Sequence, residues 1–199
     1  MPTPIHEFWR WFIEHRADFE NLVTTESDFR ASALAQLHRL DPHLAFVIPP
    51  VTGPRYEFII TAGGKISSFP LAEALIADAP QIAGWKFTAL KPPFGFAFTT
   101  TFQGTRYEPQ AMWFLPIEEN GPPPSLSIRV GLPNFTSTTP SQARLAVGIV
   151  LETAIGERAL AEDIKNFEVV LLPRAPEPAG YIELFELPEI IKEWKAKQH

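Results

Sequence analysis

Apolar positions recur at helical spacing through the first two dozen residues. Ile5, Phe8, Trp9, Phe12, Phe19, Leu22 and Val23 share one face, and Glu7, Arg10, Glu14, Asp18 and Asn21 share the other. Thr3 stands at a capping position and Pro4 suits the first helical residue, where a missing N–H loses no bond, so one helix is predicted over 4–23. His15 falls in the middle of the apolar face, with Trp11 and Ile13 at its opposite margins. A second helix is predicted from Asp28 to Leu40, capped by Thr25 or Ser27 and ended before Asp41-Pro42, because a residue preceding proline avoids the helical region.

The period then shortens. Leu44–Pro49 and Arg55–Ala62 are β-rich runs that predict an antiparallel pair, and Gly63-Gly64 makes a turn. Ser67 or Ser68 can cap a helix reaching about Ala79, with Leu71, Leu75 and Ile76 pointing inward. Further strands are predicted at Trp85–Leu90, Phe96–Phe102, Ala111–Ile117, Ser125–Leu132 and Asn166–Leu172, with a turn centred on Gln103-Gly104. Thr139-Pro140-Ser141-Gln142 forms a capping box that opens a helix running to Ile155, and Gly156 is expected to close it as a left-handed cap. That helix is apolar on most sides apart from the stripe Arg144, Gly148 and Glu152, which predicts a central, buried position. Pro188–Lys197 reads as an exposed closing helix with Glu189, Glu193 and Lys197 at four-residue spacing.

Runs of strands, rather than strict strand–helix alternation, point to an α+β fold. The expectation is one domain over 1–199, with a largely antiparallel sheet of about 5–7 strands and helices packed mainly on one face. Length agrees, since 199 residues suffice for one real core. The 21 prolines fall between the periodic segments and act as punctuation.

Charge and composition narrow the partners. A net charge of −6 opposes binding to nucleic acid, which needs a surplus of cations to displace counterions. The densest basic cluster, Lys192, Lys195 and Lys197, is interleaved with Glu193. The absence of cysteine removes disulfides, cysteine zinc sites, iron–sulfur ligation and thiol nucleophiles together. Glu7, Arg10, Glu14, Arg16 and Asp18 interrupt the opening segment, and no run is apolar enough for a span, so a cytoplasmic protein without a membrane partner is expected.

Familiar catalytic templates fail one by one. His6-Glu7 begins like a zinc-protease helix, but Arg10 holds the place of the second histidine. Gly63-Gly64-Lys65 lies between a strand and a helix, yet Ile59 and Ile66 occupy the other two positions a phosphate-binding loop needs. No Gly-x-Ser-x-Gly elbow occurs. Neither a metal nor a cofactor is expected. His15, surrounded by Phe12, Phe19 and Trp11, reads as a packing histidine with one backbone partner or, on the alternative reading, as a catalytic base. Glu152 and Glu157 are the carboxylates whose setting stands out, one on the apolar helix and one just after Gly156.

Aromatic residues form the one enriched group able to recognise something. Phe94, Phe96, Phe98, Phe102, Tyr107 and Trp113 crowd one stretch flanked by Pro92-Pro93, with Lys91 and Arg106 nearby. Either they pack a core, or part of them makes an apolar binding surface. Phe94, Phe96, Tyr107 and Trp113, together with Trp11, are the candidate binding residues.

Phe8-Trp9-x-Trp11-Phe12, then His43-Leu44-x-Phe46, Glu57-Phe58-x-Ile60 and Gly156-Glu157 after a long apolar helix, resemble a set of uncharacterised bacterial proteins. The resemblance brings no catalytic residues with it. Some small bacterial proteins of this texture are immunity or partner-binding components of toxin systems. The functional expectation is therefore a non-catalytic cytoplasmic interaction module, of the immunity or accessory type, that binds a protein partner. The alternative is a metal-independent hydrolase or transferase acting on a small molecule through His15 or a buried glutamate. A third reading is a homo-oligomer with Trp11 and Ile13 in the subunit interface.

Overall fold

A computed structural model of the chain describes residues 3–22, 28–50, 55–119, 125–133, 135 and 140–198. Among them are seven α-helices and nine strands in three sheets, an α+β fold. The chain divides into two compact units, residues 1–91 and 92–199.

The first unit opens with α1 (Pro4–Glu14), which Thr3 caps by accepting a hydrogen bond from the His6 N–H. The helix expected to run on to residue 23 instead breaks at His15, and α2 (Arg16–Asn21) follows; Val23, Thr25 and Ser27 lie outside the described residues. At the break His15 adopts φ −108° and ψ 17°, and its Nδ1 donates to the Trp11 carbonyl oxygen at 2.9 Å. Periodicity misses this break because Phe12 and Phe19 are seven residues apart, two turns of an unbroken helix, and both remain buried. Next comes α3 (Asp28–His38).

Strands β1 (Ala45–Val47) and β2 (Tyr56–Thr61) pair antiparallel, as expected. Helix α4 (Phe69–Ala77) then carries the chain back, so β3 (Trp85–Ala89) lies parallel to β2 and completes a three-stranded sheet. The interior of this unit is an aromatic nest. Phe58 is fully buried, with ring centroids at 5.1 Å from Phe12, 5.2 Å from Phe46 and 5.4 Å from Phe19. Trp9 satisfies its indole N–H inside the core by donating to the Leu75 carbonyl at 2.8 Å.

Ser68 does not cap α4 through its side chain. Its hydroxyl donates instead to Asp41 Oδ2 at 2.7 Å, while Asp41 Oδ1 accepts the His43 N–H at 2.7 Å. Those two donors, His43 first and Ser68 second, hold the Asp41 carboxyl below its ordinary value of 3.8. A depressed carboxyl pKa contributes stability above the ordinary value and loses it as pH falls through the folded-state value. The stability difference between wild type and Asp41→Asn is expected to be constant near neutral pH and to close below pH 3.8. Urea denaturation across that range checks this, and a gap independent of pH would refute it.

The second unit contains a hairpin of β4 (Thr100–Phe102) and β5 (Thr105–Tyr107), with Gln103 and Gly104 at φ 48° and 79°. Both central residues in the left-handed region make the two-residue turn that matches strand twist. Only residues 100–102 of the strand expected over Phe96–Phe102 are paired in a ladder. β6 (Trp113–Glu119) and β7 (Ser125–Leu132) pair antiparallel, and α5 (Pro140–Ile155) follows; Thr139 of the expected capping box lies outside the described residues. Then come α6 (Glu157–Asp163), β8 (Asn166–Leu171), β9 (Ile182–Glu183) and α7 (Leu187–Ala196). The four-stranded sheet runs β8-β7-β6-β9, with β7 and β8 parallel.

The core of this unit joins Phe114, Leu126, Ile128, Val130 and Leu132 of the sheet to Ala146, Val147, Val150 and Leu151 of α5. Helix α5 is buried on one side only. Leu145 and Ile149 are 62% and 43% exposed, so the helix lies over the sheet as an outer layer and not at the centre as expected. Gly156 has φ 87° and ψ 156°, an extended glycine-only conformation instead of the expected left-handed cap, and it leads straight into α6. The closing helix is amphipathic and not simply exposed: Leu187 and Ile191 are buried, and Lys192 pairs with Glu189 at 2.9 Å.

Candidate functional site

The candidate binding residues are distributed over several places. In the first unit, Trp11 is half-buried and forms a three-ring cluster with His15, 4.5 Å away, and Phe29, 5.6 Å away, which are 5.9 Å from each other. In the second unit, Phe96, Phe98 and Phe102 pack against the core. Trp113 lies on β6 opposite Gly131, on the sheet face away from Phe114. Tyr107 is buried and lines a cleft of about 350 Å³ with Arg106, Met112, Leu132 and Ala143. Arg106 and Glu108 pair at 2.7 Å on its rim.

Phe94 is different. Its side chain is 72% exposed, the highest value among the large exposed hydrophobic residues described. Its backbone is nevertheless fixed. The Phe94 N–H donates to the Thr153 carbonyl at 2.9 Å, and the Gly95 N–H donates to Ala154 at 3.1 Å. These bonds use carbonyls at the C-terminal end of α5, which have no partner within the helix. Phe98 supports the ring from one side at 6.1 Å, edge to face.

The preceding residue, Pro93, lines a groove of about 480 Å³. Pro93, Ala154, Ile155, Ala159 and Ile191 form its apolar wall, and Asp163, Lys192 and Lys195 stand along it. Three features build it. Gly156 turns the chain between α5 and α6, the backbone bonds at 94 and 95 bring Pro93 against α5, and α7 supplies Ile191. Lys195 and Asp163 pair across α7 and α6 at 2.8 Å. Both charges are thus compensated, and what the groove offers a visitor is apolar surface, with Phe94 next along the chain from its Pro93 wall. The aromatic-rich sequence points to Phe94 but not to the groove, whose wall depends on α6, a helix without apolar periodicity. The readable signal was Glu157–Asp163, a run of good helix formers directly after a glycine.

His15 and the glutamates occupy other surroundings. His15 is half-buried and bonded to Trp11, and none of the clefts described above is lined by it. Glu152 is half-buried, and Glu157, at the first position of α6, is 1% exposed. Arg144 stacks over the Phe167 ring at 4.3 Å and bonds Asn166, while Arg158 pairs with Glu162 at 2.5 Å. Among the described residues, no group of three or more histidines and carboxylates is placed to hold a metal ion. No helix among them is long and apolar enough to cross a membrane. Compared with known proteins, the chain matches no family model, no curated protein and no solved structure.

Proposed function

We propose that this chain is a non-catalytic cytoplasmic interaction module, of the immunity or accessory type, that binds a protein partner through the groove between α5, α6 and α7. The observation that carries this reading is Phe94, an aromatic ring 72% exposed on a backbone held by two hydrogen bonds, directly following Pro93 of an apolar groove. Binding energy at protein interfaces concentrates in a few aromatic anchors next to pockets. An anchor whose backbone is already ordered avoids part of the entropy loss that binding otherwise entails. Paired charges along the groove fit the polar rim that surrounds such anchors.

Phe94→Asp tests the reading. With so exposed a side chain, the substitution is expected to change stability by no more than about 0.5 kcal/mol. Tagged chain cross-linked in its own host should capture a partner in near-stoichiometric amount. The Phe94→Asp chain, equally folded by circular dichroism, should lose it. Equal capture by both chains would overturn the proposal.

A further inference from the structure

The four-stranded sheet ends at β8, and this edge lacks the usual protections. Its six residues, Asn166-Phe-Glu-Val-Val-Leu171, contain no proline and no lysine. Their single charge, Glu168, is taken up by Arg129 of the neighbouring strand. Natural sheets guard an open edge with lysine, proline, a bulge or brevity. The other edge of the same sheet, β9, is two residues long, and β3 in the first unit carries Lys86. β8 is the long, unguarded one, and Leu171 at its end is 58% exposed.

Which backbone groups face outward follows from one bond. The Leu172 N–H donates to Leu132 at the end of β7. Successive residues of a strand direct their N–H and C=O groups to opposite sides, so Phe167, Val169 and Leu171 direct theirs away from β7. Among the described residues no strand pairs with that side.

We propose that β8 pairs antiparallel with β8 of a second copy of this chain, about a two-fold axis through Val169. A two-fold axis perpendicular to the sheet keeps the α5 face on one side in both copies, so outward residues pair with outward residues. Centred on Val169, all three are used: Val169 faces the partner's Val169, and Phe167 faces the partner's Leu171. This register uses all of the outward backbone groups. It also sets Glu168 opposite the partner's Val170, whereas a register centred one residue earlier would set Glu168 against itself. Exposed Leu171 gains an aromatic neighbour, the partner's Phe167, over which Arg144 already lies. This face is distinct from the groove lined by Pro93, and the inference does not rest on the function proposed for that groove.

The test is the molecular mass of the full chain by sedimentation equilibrium over a concentration series. Wild type is expected at twice 22.3 kDa. Val169→Pro removes an N–H that points away from β7, where proline is tolerated, so the fold should persist while the dimer is lost. Val170→Lys and Val170→Glu supply a test of sign. Lys at 170 faces the partner's Glu168 and should tighten the dimer about fivefold, and Glu should weaken it about fivefold. A variant that merely perturbed folding would not move the constant in opposite directions for opposite charges. A monomer at every concentration would overturn the proposal. So would a dimer indifferent to Val169→Pro, or one indifferent to the sign at position 170.

Discussion

Phe58→Ala is expected to lower the unfolding free energy by about 3–5 kcal/mol, the range for removing a buried phenylalanine from a packed core. Phe58 is fully buried and central to the aromatic nest of the first unit. Its ring meets those of Phe8, Trp9, Phe12, Phe19, Phe46 and Phe87 within 6.4 Å. Those neighbours belong to four elements, α1, α2, β1 and β3, so no single one can move to fill the void. The loss therefore includes a cavity term as well as the transfer term. Urea denaturation followed by tryptophan fluorescence measures it, since Trp9 and Trp85 both lie in this unit. A loss under about 1 kcal/mol, the range of volume-conserving swaps, would mean the nest repacks freely.

Gly131→Val should reach about 3 kcal/mol by the opposite route, overpacking. A Cβ at Gly131 would stand 2.6 Å from Leu172 Cδ1, 3.2 Å from Tyr181 Cε1 and 3.3 Å from Leu172 Cα. The leucine tip can swing aside, but the backbone atom is tied, because the Leu172 N–H bonds the Leu132 carbonyl at 2.9 Å. Gly131→Ala asks less and should cost about 1 kcal/mol. Chemical denaturation of the two variants checks both size and order. Valine within about 0.5 kcal/mol of wild type would show that residues 172–181 do not press on this face.

The same residue shows why some of the molecule could be read from its sequence and some could not. Ser125–Leu132 was legible residue for residue, because β-rich composition and turn residues mark both ends. The Gln103-Gly104 turn was legible for the same reason, its chemistry being local. Gly131 passed as an ordinary strand position, although a glycine inside a strand often marks a close approach by other backbone or side chains. What approaches it comes from some forty to fifty residues further along, which no local pattern encodes. Partition of the strands into sheets of three, two and four is likewise a matter of long-range pairing. Exposure of Leu145 and Ile149 escaped too, since an apolar side chain carries no mark of which neighbour covers it. Phe94 could be picked out by its company of aromatics. Its fixing by the end of α5 depends on carbonyls whose position only the fold reveals.

The parallel pairing of β7 with β8 also bears on how the chain reaches this state. Ser127 pairs with Asn166, so α5 and α6 must be made and folded back before β8 can dock. Closing so large a loop slows productive collapse relative to a helical protein of equal size. In that interval β7 has an unzipped flank of its own, and newly made chains in high local concentration can stick to one another there. Slow synthesis in the cold, or refolding from dilute solution, should accordingly raise the yield of native material.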